Sequence, residues 1–106
     1  MVTFQDFKKL DMRVAEILSV KDHPHADKLF VMELNVGGEK KQGVAGLKGY
    51  YAAEQLKGKK VIVVNNLEPA VLRGVESQAM LLAVQDGSRV VLLTTESDVP
   101  VGCRVL

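Results

Sequence analysis

Residues 13–36, RVAEILSVKDHPHADKLFVMELNV, contain two strand-like runs separated by a turn-rich loop. Apolar side chains alternate along the second run, at Phe30, Met32, Leu34 and Val36. This period of two is typical of a strand with one buried face. In the first run the apolar set changes phase between Val14 and Ile17. Such a change predicts a β-bulge or a strong bend, as in a barrel strand shared by two sheets.

The remaining sequence adds strands on the C-terminal side and a helix at the start. Thr3 can cap a short N-terminal helix, whose apolar face carries Phe4, Phe7 and Leu10. Phe4 and Phe7 are predicted to belong to the core. Downstream we predict a weak strand at 41–45, a short helix at 52–56, a buried strand at 60–64, a long loop at 65–77, an apolar run at 79–84 and a strand from residue 89.

This order predicts an all-β fold. It fits a five-stranded OB-fold β-barrel with a short helix between strands 3 and 4, a short N-terminal helix and an added C-terminal β segment. A small β-barrel of different topology remains open from the pattern alone.

Length and composition predict one domain over residues 1–106 and a cytoplasmic protein. A chain of 106 residues with 47% apolar content can bury one core. The sequence holds no apolar run of about 18 residues to span a membrane, and the N-terminus does not resemble a signal peptide. The lone Cys103 cannot close an internal disulfide. The chain also begins with methionine just before the predicted helix cap, and we expect it to be complete and free-standing.

The formal net charge of +1 conceals an uneven distribution. Residues 40–73 carry seven basic and two acidic side chains, a net charge of +5, whereas both flanking segments are acidic. If the basic segment forms one surface, it creates a local positive field that would attract a polyanion. Ordinary solvated lysines are the alternative interpretation.

The sequence offers little for catalysis or metal binding. His23 and His25 lie in a Pro-containing loop without the further ligands that a metal site needs, so we predict that they shape the loop or face a phosphate. Ser77 lacks the motif of a nucleophile elbow. We therefore expect no enzyme activity, no cofactor and no metal. With no Trp, two Tyr and three Phe, the chain also lacks the stacking platforms of single-strand binders, which favours recognition of a folded RNA by backbone and shape.

Four separated motifs, DMRVAEILSV, HPHADKL, GVAGL and NNLEPAVLRGVESQAMLLA, resemble the tRNA-binding domain found at the C-terminus of many methionyl-tRNA synthetases. Similar domains occur as free-standing small proteins and in endothelial monocyte-activating polypeptide. The resemblance covers residues 4–106 and implies an OB-fold, a homodimer and structure-specific binding to the outer corner of L-shaped tRNA. It also implies assistance to a methionyl-tRNA synthetase, in trans or as its separate subunit.

Carried over to this sequence, the resemblance implies an RNA-binding surface formed by Lys28, Asn65, Asn66, Arg73, Ser77 and Met80. Lys28 and Arg73 would clamp an RNA backbone between two loops that flank one barrel face. At Ala79 the chain departs from the family, which usually has glycine there.

Three further residues are predicted to be structural. Asp11 and Arg13 are expected to form an architectural ion pair or to anchor a turn, and the Asp27 carboxylate is expected to hold the loop turn through backbone N–H groups. Two other functions stay open: an export-related peptide chaperone of the CsaA type, and a purely structural module of a synthetase complex.

Overall fold

Five strands of the chain form one antiparallel sheet that curls into a nearly closed barrel. The computed structural model describes residues 1–106. Two short helices, neither long nor apolar enough to cross a membrane, accompany the strands. The elements are α1 (Phe4–Lys8), β1 (Met12–Asp22), β2 (Phe30–Asn35), β3 (Lys40–Ala45), α2 (Ala53–Leu56), β4 (Lys60–Val64), β5 (Ala70–Leu72), β6 (Val75–Ser77), β7 (Met80–Leu81), β8 (Ala83–Asp86) and β9 (Arg89–Leu92).

The long first strand is shared by two neighbours, as its change of phase predicts. The sheet has the order β3-β2-β1-β4-β7. The first half of β1 pairs with β4, and its second half pairs with β2. The register with β2 shifts between Ile17 and Ser19. A register irregularity is therefore present in β1, but it lies at Ile17–Ser19 and not between Val14 and Ile17 as predicted, next to Glu16, where the strand exchanges β4 for β2.

The interior of the barrel is filled by the side chains that the alternation marks as inward. Phe30, Met32 and Leu34 of β2 are buried in one cluster with Ile17 of β1 and Val61 of β4. The two edges meet where the backbone N–H of Gln78 donates to the carbonyl of Gln42 over 2.7 Å. The all-β OB-fold barrel with a helix between β3 and β4 is confirmed.

Two hairpins lie outside the five-stranded sheet. The first, formed by β5 and β6, stands in the segment predicted as a plain loop and turns at Arg73 and Gly74, with φ of 53° and 86°. Two successive positive φ values are characteristic of a type I′ hairpin turn. The second pairs β8 with β9 around Gly87. The apolar run predicted at 79–84 is therefore interrupted at Leu82: β7 before it belongs to the barrel, and β8 after it belongs to this hairpin.

The C-terminal tail continues the sheet along the free edge of β1. The N–H of Val14 donates to the carbonyl of Cys103 over 2.9 Å, and the N–H of Gly102 donates to the carbonyl of Val14 over 2.7 Å. The tail passes Gly37 so closely that a Cβ on this glycine would lie 2.5 Å from the Cα of Gly102. The added C-terminal segment thus closes the edge of β1 that β2 leaves open.

Helix α1 differs from its prediction. Thr3 caps the helix as expected, accepting a hydrogen bond from the N–H of Asp6 over 3.1 Å. No residue of the helix is buried, however, and Phe4 remains 70% exposed. The prediction that Phe4 and Phe7 belong to the core is wrong, because the barrel is already filled by its own strands and the helix lies outside it.

Candidate nucleic-acid interface

The loop between β1 and β2 and the β5–β6 hairpin meet in an open cleft of about 360 Å³. Lys28 and Arg73 both line this cleft, one from each side. Lys28 is exposed and has no ion-pair partner in the structure. Two cations with free hydrogen-bond donors can bind a phosphate backbone from opposite sides. We call the space lined by His25, Ala26, Asp27, Lys28, Leu29 and Arg73 the loop cleft.

Hydrogen bonds hold both walls of the loop cleft in place. The His23 ring is buried, and its Nε2 lies 2.8 Å from the carbonyl oxygen of Leu72. The N–H of His25 donates to Nδ1 of His23 over 2.9 Å. The Arg73 guanidinium donates to the carbonyl of His25 over 3.3 Å. The loop-shaping interpretation of His23 is therefore supported, whereas the Asp27 carboxylate accepts no hydrogen bond and the prediction that it holds the turn is wrong.

Ser77 and Met80 lie at a second concavity rather than in the loop cleft. This apolar pocket of about 190 Å³ is lined by Val44, Leu67, Glu68, Ala70, Leu72, Ser77, Gln78, Ala79 and Met80. The Ser77 hydroxyl accepts from the N–H of Val44 over 3.0 Å and donates to the carbonyl of Ala79 over 3.1 Å. It joins β3 to β6 and has no further proton to donate. Met80 is exposed at the rim.

The side-chain amides of Asn65 and Asn66 hold the N-terminal segment against the end of β4. Asn66 accepts from the N–H of Asp11 over 2.8 Å and donates to the carbonyl of Lys9 over 2.7 Å. Asn65 donates to the Asp11 carboxylate over 3.2 Å, while its Oδ1 is buried without a donor. The structure therefore gives both amides internal partners and does not bring them into the loop cleft.

Ala79, where the chain departs from the family motif, faces the barrel interior. Its side chain is buried in the core cluster. The extra methyl group of alanine therefore fills core volume and does not lie between the backbone and an approaching RNA.

Asp11 and Arg13 form the predicted architectural ion pair. Nε of Arg13 donates to the Asp11 carboxylate over 2.8 Å, and a second guanidinium nitrogen donates to the carbonyl of Gly102 over 3.0 Å. Burial raises the pKa of Asp11, but hydrogen bonds from Asn65 and Arg13 and the charges of Arg13 and Arg104 outweigh it and lower the pKa overall. The pair fastens the C-terminal tail to β1.

The basic segment 40–73 does not form one positive surface. Three of its lysines pair with acidic side chains from outside the segment: Lys41 with Glu39, Lys48 with Asp22 and Lys60 with Asp98. The segment's net charge is therefore largely neutralised by the fold. The cations of the segment that form no ion pair are dispersed, and of these only Arg73 lines the loop cleft.

Sequence reasoning missed two further cations, on the outer face of the barrel. Lys21 and Lys40 line a polar cleft of about 270 Å³ over β1, β2 and β3, together with Ser19, Glu33 and Gln42. Both are exposed, and neither forms an ion pair. Position in the strand could have indicated Lys21: side chains alternate between the two faces of a strand, and Lys21 is two residues after the exposed Ser19 in β1.

The side chains do not converge as a metal centre would require. No three His, Cys, Asp or Glu side chains meet in a geometry that could hold a metal ion. Both ring nitrogens of His23 already form hydrogen bonds, and the Ser77 hydroxyl has no histidine partner. The loop cleft instead offers the charged side chains of Lys28 and Arg73 for polar and ionic contacts.

The family model for a tRNA binding domain matches residues 12–104 of the chain. The model describes a binding domain and not a catalytic one. Among curated proteins, the methionine–tRNA ligase of Pyrococcus horikoshii is 55% identical over 104 residues, and that of Thermococcus kodakarensis is 53% identical over 104 residues. Each match covers 98% of this chain but only 14% of the ligase.

Solved structures with the same fold include proteins described in two ways. A MetRS-related protein from Pyrococcus horikoshii superposes with a TM-score of 0.92 at 33% identity, covering 100% of this chain and 98% of that one. A CsaA chaperone protein from Picrophilus torridus superposes with a TM-score of 0.92 at 30% identity, covering 100% of both chains.

Proposed function

The chain belongs to the tRNA-binding domain family, and on this premise we propose that it binds folded tRNA by backbone and shape and catalyses no reaction itself. The observation that carries this proposal is the loop cleft, in which Lys28 and Arg73 stand on opposite walls. We propose that residues 1–106 act as one tRNA-binding domain.

The chemistry of the loop cleft suits a phosphate backbone better than a base edge. Lysine offers a mobile point charge and arginine a planar fork, and both bind phosphate oxygens without reading sequence. The aromatic side chains add little stacking capacity, since Tyr51 accepts a hydrogen bond from the N–H of Leu92 and packs on the core. Recognition by backbone favours a folded RNA, and we propose the outer corner of tRNA as the contact.

The two other groups of candidate residues receive different roles in this proposal. Met80 would contact RNA from the rim of the apolar pocket, next to the hairpin that carries Arg73. Asn65, Asn66 and Ser77 would support the surface from within, because their polar groups have internal partners. Lys21 and Lys40 would extend the backbone contact across the outer face of the barrel.

We further propose that the protein is a homodimer joined through the apolar groove beside α1. This groove of about 220 Å³ is lined by Phe4, Phe7, Lys8, Leu10, Arg104, Val105 and Leu106. Phe4 and Leu106 are strongly exposed in the single chain. A contiguous apolar surface rimmed by cations is typical of an interface, and two copies related by a twofold axis would cover it on both subunits at once.

A methionyl-tRNA synthetase is the proposed partner. The similarity to methionine–tRNA ligases extends over nearly the whole chain but over only 14% of each ligase. We propose that the domain supplies tRNA affinity to such an enzyme, in trans or as its separate subunit, and raises the local concentration of tRNA near it. We expect this to take place in the cytoplasm.

One alternative function is supported by a specific observation. The CsaA chaperone protein has the same fold at 30% identity, and the apolar pocket beside Met80 could hold an apolar peptide side chain. Identity to the ligases is higher, at 53–55%. We therefore favour tRNA as the ligand.

The experiment that separates these functions compares three ligands at equal salt. Binding is measured by fluorescence titration with folded tRNA, an unstructured RNA of equal length and an unfolded peptide. We expect the folded tRNA to bind tightest. Equal affinity for the two RNAs would defeat shape recognition, and preference for the peptide would favour the chaperone.

A further inference from the structure

His23 is the one buried polar or charged side chain of the protein, with 6% of its surface exposed. It lies just after β1, where the chain leaves the barrel. Because Nδ1 accepts a hydrogen bond from the N–H of His25, the proton of the neutral ring is on Nε2. Nε2 therefore donates to the carbonyl oxygen of Leu72, which is 49 residues away in sequence. The ring joins the loop to the β5–β6 hairpin.

The hydrogen bonds of His23 belong to a closed circuit around Arg73. The carbonyl that His23 binds belongs to Leu72, the residue directly before Arg73. The Arg73 guanidinium returns to the loop and donates to the carbonyl of His25, whose N–H donates to His23. Three hydrogen bonds and one peptide bond thus close a ring between the two walls of the loop cleft.

The circuit fixes a side chain that the backbone alone would hold poorly. Arg73 has a φ of 53° and is the one non-glycine residue of the chain with positive φ. This left-handed conformation is unfavourable for arginine, because its Cβ lies too close to the following carbonyl oxygen. As strands, β5 and β6 pair only with each other, outside the barrel sheet, and side-chain hydrogen bonds tie β6 to β3 at Glu76 and Ser77 but not at the turn that carries Arg73. Without a tie between this turn and the loop, the direction of the guanidinium would vary.

We propose that His23 is the positioning residue of the loop cleft: it holds the β5–β6 hairpin so that Arg73 faces the same ligand as Lys28. The inference rests on the proposed function, in which that ligand is the phosphate backbone of tRNA. His23 itself is buried and does not touch the RNA. Its effect on binding passes entirely through Arg73.

Two substitutions separate the hydrogen bonds of the ring. In His23→Gln the terminal amide can still donate toward Leu72, as Nε2 does. In His23→Asn the shorter side chain can still accept from the N–H of His25 but does not reach Leu72. We expect His23→Asn to weaken tRNA binding about five- to tenfold, as much as Arg73→Ala does. His23→Gln should keep most of the wild-type affinity.

The decisive measurement is a double-mutant cycle with Arg73→Ala. We expect His23→Asn to cause no further loss once Arg73 is removed. If the losses of the two single variants multiply instead, or if His23→Asn binds like the wild type, the inference is overturned. A wild type that does not bind tRNA would overturn the proposed function as well, so the two failures are distinguishable.

A spectroscopic readout covers the case in which His23→Asn does not fold. A long-range ¹H–¹⁵N correlation spectrum of the wild type should report a His23 ring protonated at Nε2 and unprotonated at Nδ1. The opposite tautomer would break the circuit and overturn the inference. In a protein that carries His23→Gln, Arg73→Ala should still weaken tRNA binding by the same factor as it does in the wild type. Loss of that effect would also contradict the inference about His23.

Discussion

Gln42 and Gln78 join the two edges of the barrel through a reciprocal pair of hydrogen bonds. The N–H of Gln78 donates to the carbonyl of Gln42 over 2.7 Å, and the N–H of Gln42 donates to Oε1 of Gln78 over 2.8 Å. This seam lies between the strand that ends near the loop cleft and the segment that carries Ser77. It holds the barrel closed beside the candidate binding surface.

We predict that Gln78→Ala lowers the free energy of unfolding by about 1–3 kcal/mol, because it leaves the partly buried N–H of Gln42 without an acceptor. Urea denaturation measures the change. Gln85→Ala is the matched control, since Gln85 is exposed on β8 and contacts only the carbonyl of Gly87 at 3.5 Å. Equal effects of the two substitutions would show that the seam contributes nothing.

Gly37→Ala should destabilise the protein more than Gly38→Ala. Both glycines have positive φ, at 80° and 94°, so both alanines carry a similar backbone penalty of about 1–2 kcal/mol. Only at Gly37 would the new Cβ meet another atom, 2.5 Å from the Cα of Gly102. Thermal unfolding of the two variants isolates the close contact, and a Gly37→Ala variant as stable as Gly38→Ala would contradict the docking of the tail.

Acid should weaken the fastening of the N-terminal segment and tail through Asp11. Burial opposes ionisation of this carboxyl, but the hydrogen bonds and charges around it lower its pKa below the ordinary 3.8. The unfolded chain then binds the proton more readily, so the contribution of Asp11 is fully present above that value. It is lost as pH falls through the lower pKa of the folded protein.

The Asp11→Asn variant should therefore be less stable than the wild type near neutral pH, and the difference should shrink as pH falls below the ordinary carboxyl pKa of 3.8. Urea unfolding at a series of pH values measures it. Two stability curves that stay parallel down to the lowest pH would contradict the assignment.

The exposed face of α1 should determine the oligomeric state. We predict that the wild type is a dimer in gel filtration with light scattering and that Phe4→Ser shifts it toward monomer, because Phe4 contributes a large exposed ring to the proposed interface. Val84→Ser is the control, since Val84 is also exposed but lies on the β8–β9 hairpin. A wild type that is monomeric at micromolar concentration would end the dimer proposal.

The fold could be predicted where one strong pattern controls the backbone. Alternation in β2 is a direct consequence of which side chains are buried, and it is confirmed. The phase change in β1 predicts an irregularity in that strand but places it a few residues too early. The sequence pattern does not reveal the β5–β6 hairpin, because its turn is Arg73–Gly74 and not the usual Asn-Gly or Asp-Gly. Helix α1 is amphipathic in sequence, but amphipathicity does not reveal whether the apolar face meets the barrel or another surface.

The candidate site shows a sharper limit of sequence reasoning. Lys28 and Arg73 lie 45 positions apart in sequence, and their family motifs led to one cleft. Ser77, Asn65 and Asn66 have the same polar chemistry as surface contacts, but their hydrogen bonds are internal. Composition cannot distinguish a polar group that is free from one that is already satisfied, because the partners come from distant segments. The same applies to Lys48, which Asp22 neutralises.

The central claim, that the loop cleft binds the tRNA backbone, is tested most directly by tRNA titrations over a salt series with Lys28→Ala and Lys57→Ala. Both lysines are exposed and without an ion pair, but Lys57 lies at the end of α2, away from the loop cleft. We predict that Lys28→Ala weakens binding and lowers the slope of log K against log salt by about 0.7–0.9, the value for one lost phosphate contact. Lys57→Ala should change neither quantity. An unchanged slope for Lys28→Ala, or the same loss for both variants, would contradict the claim.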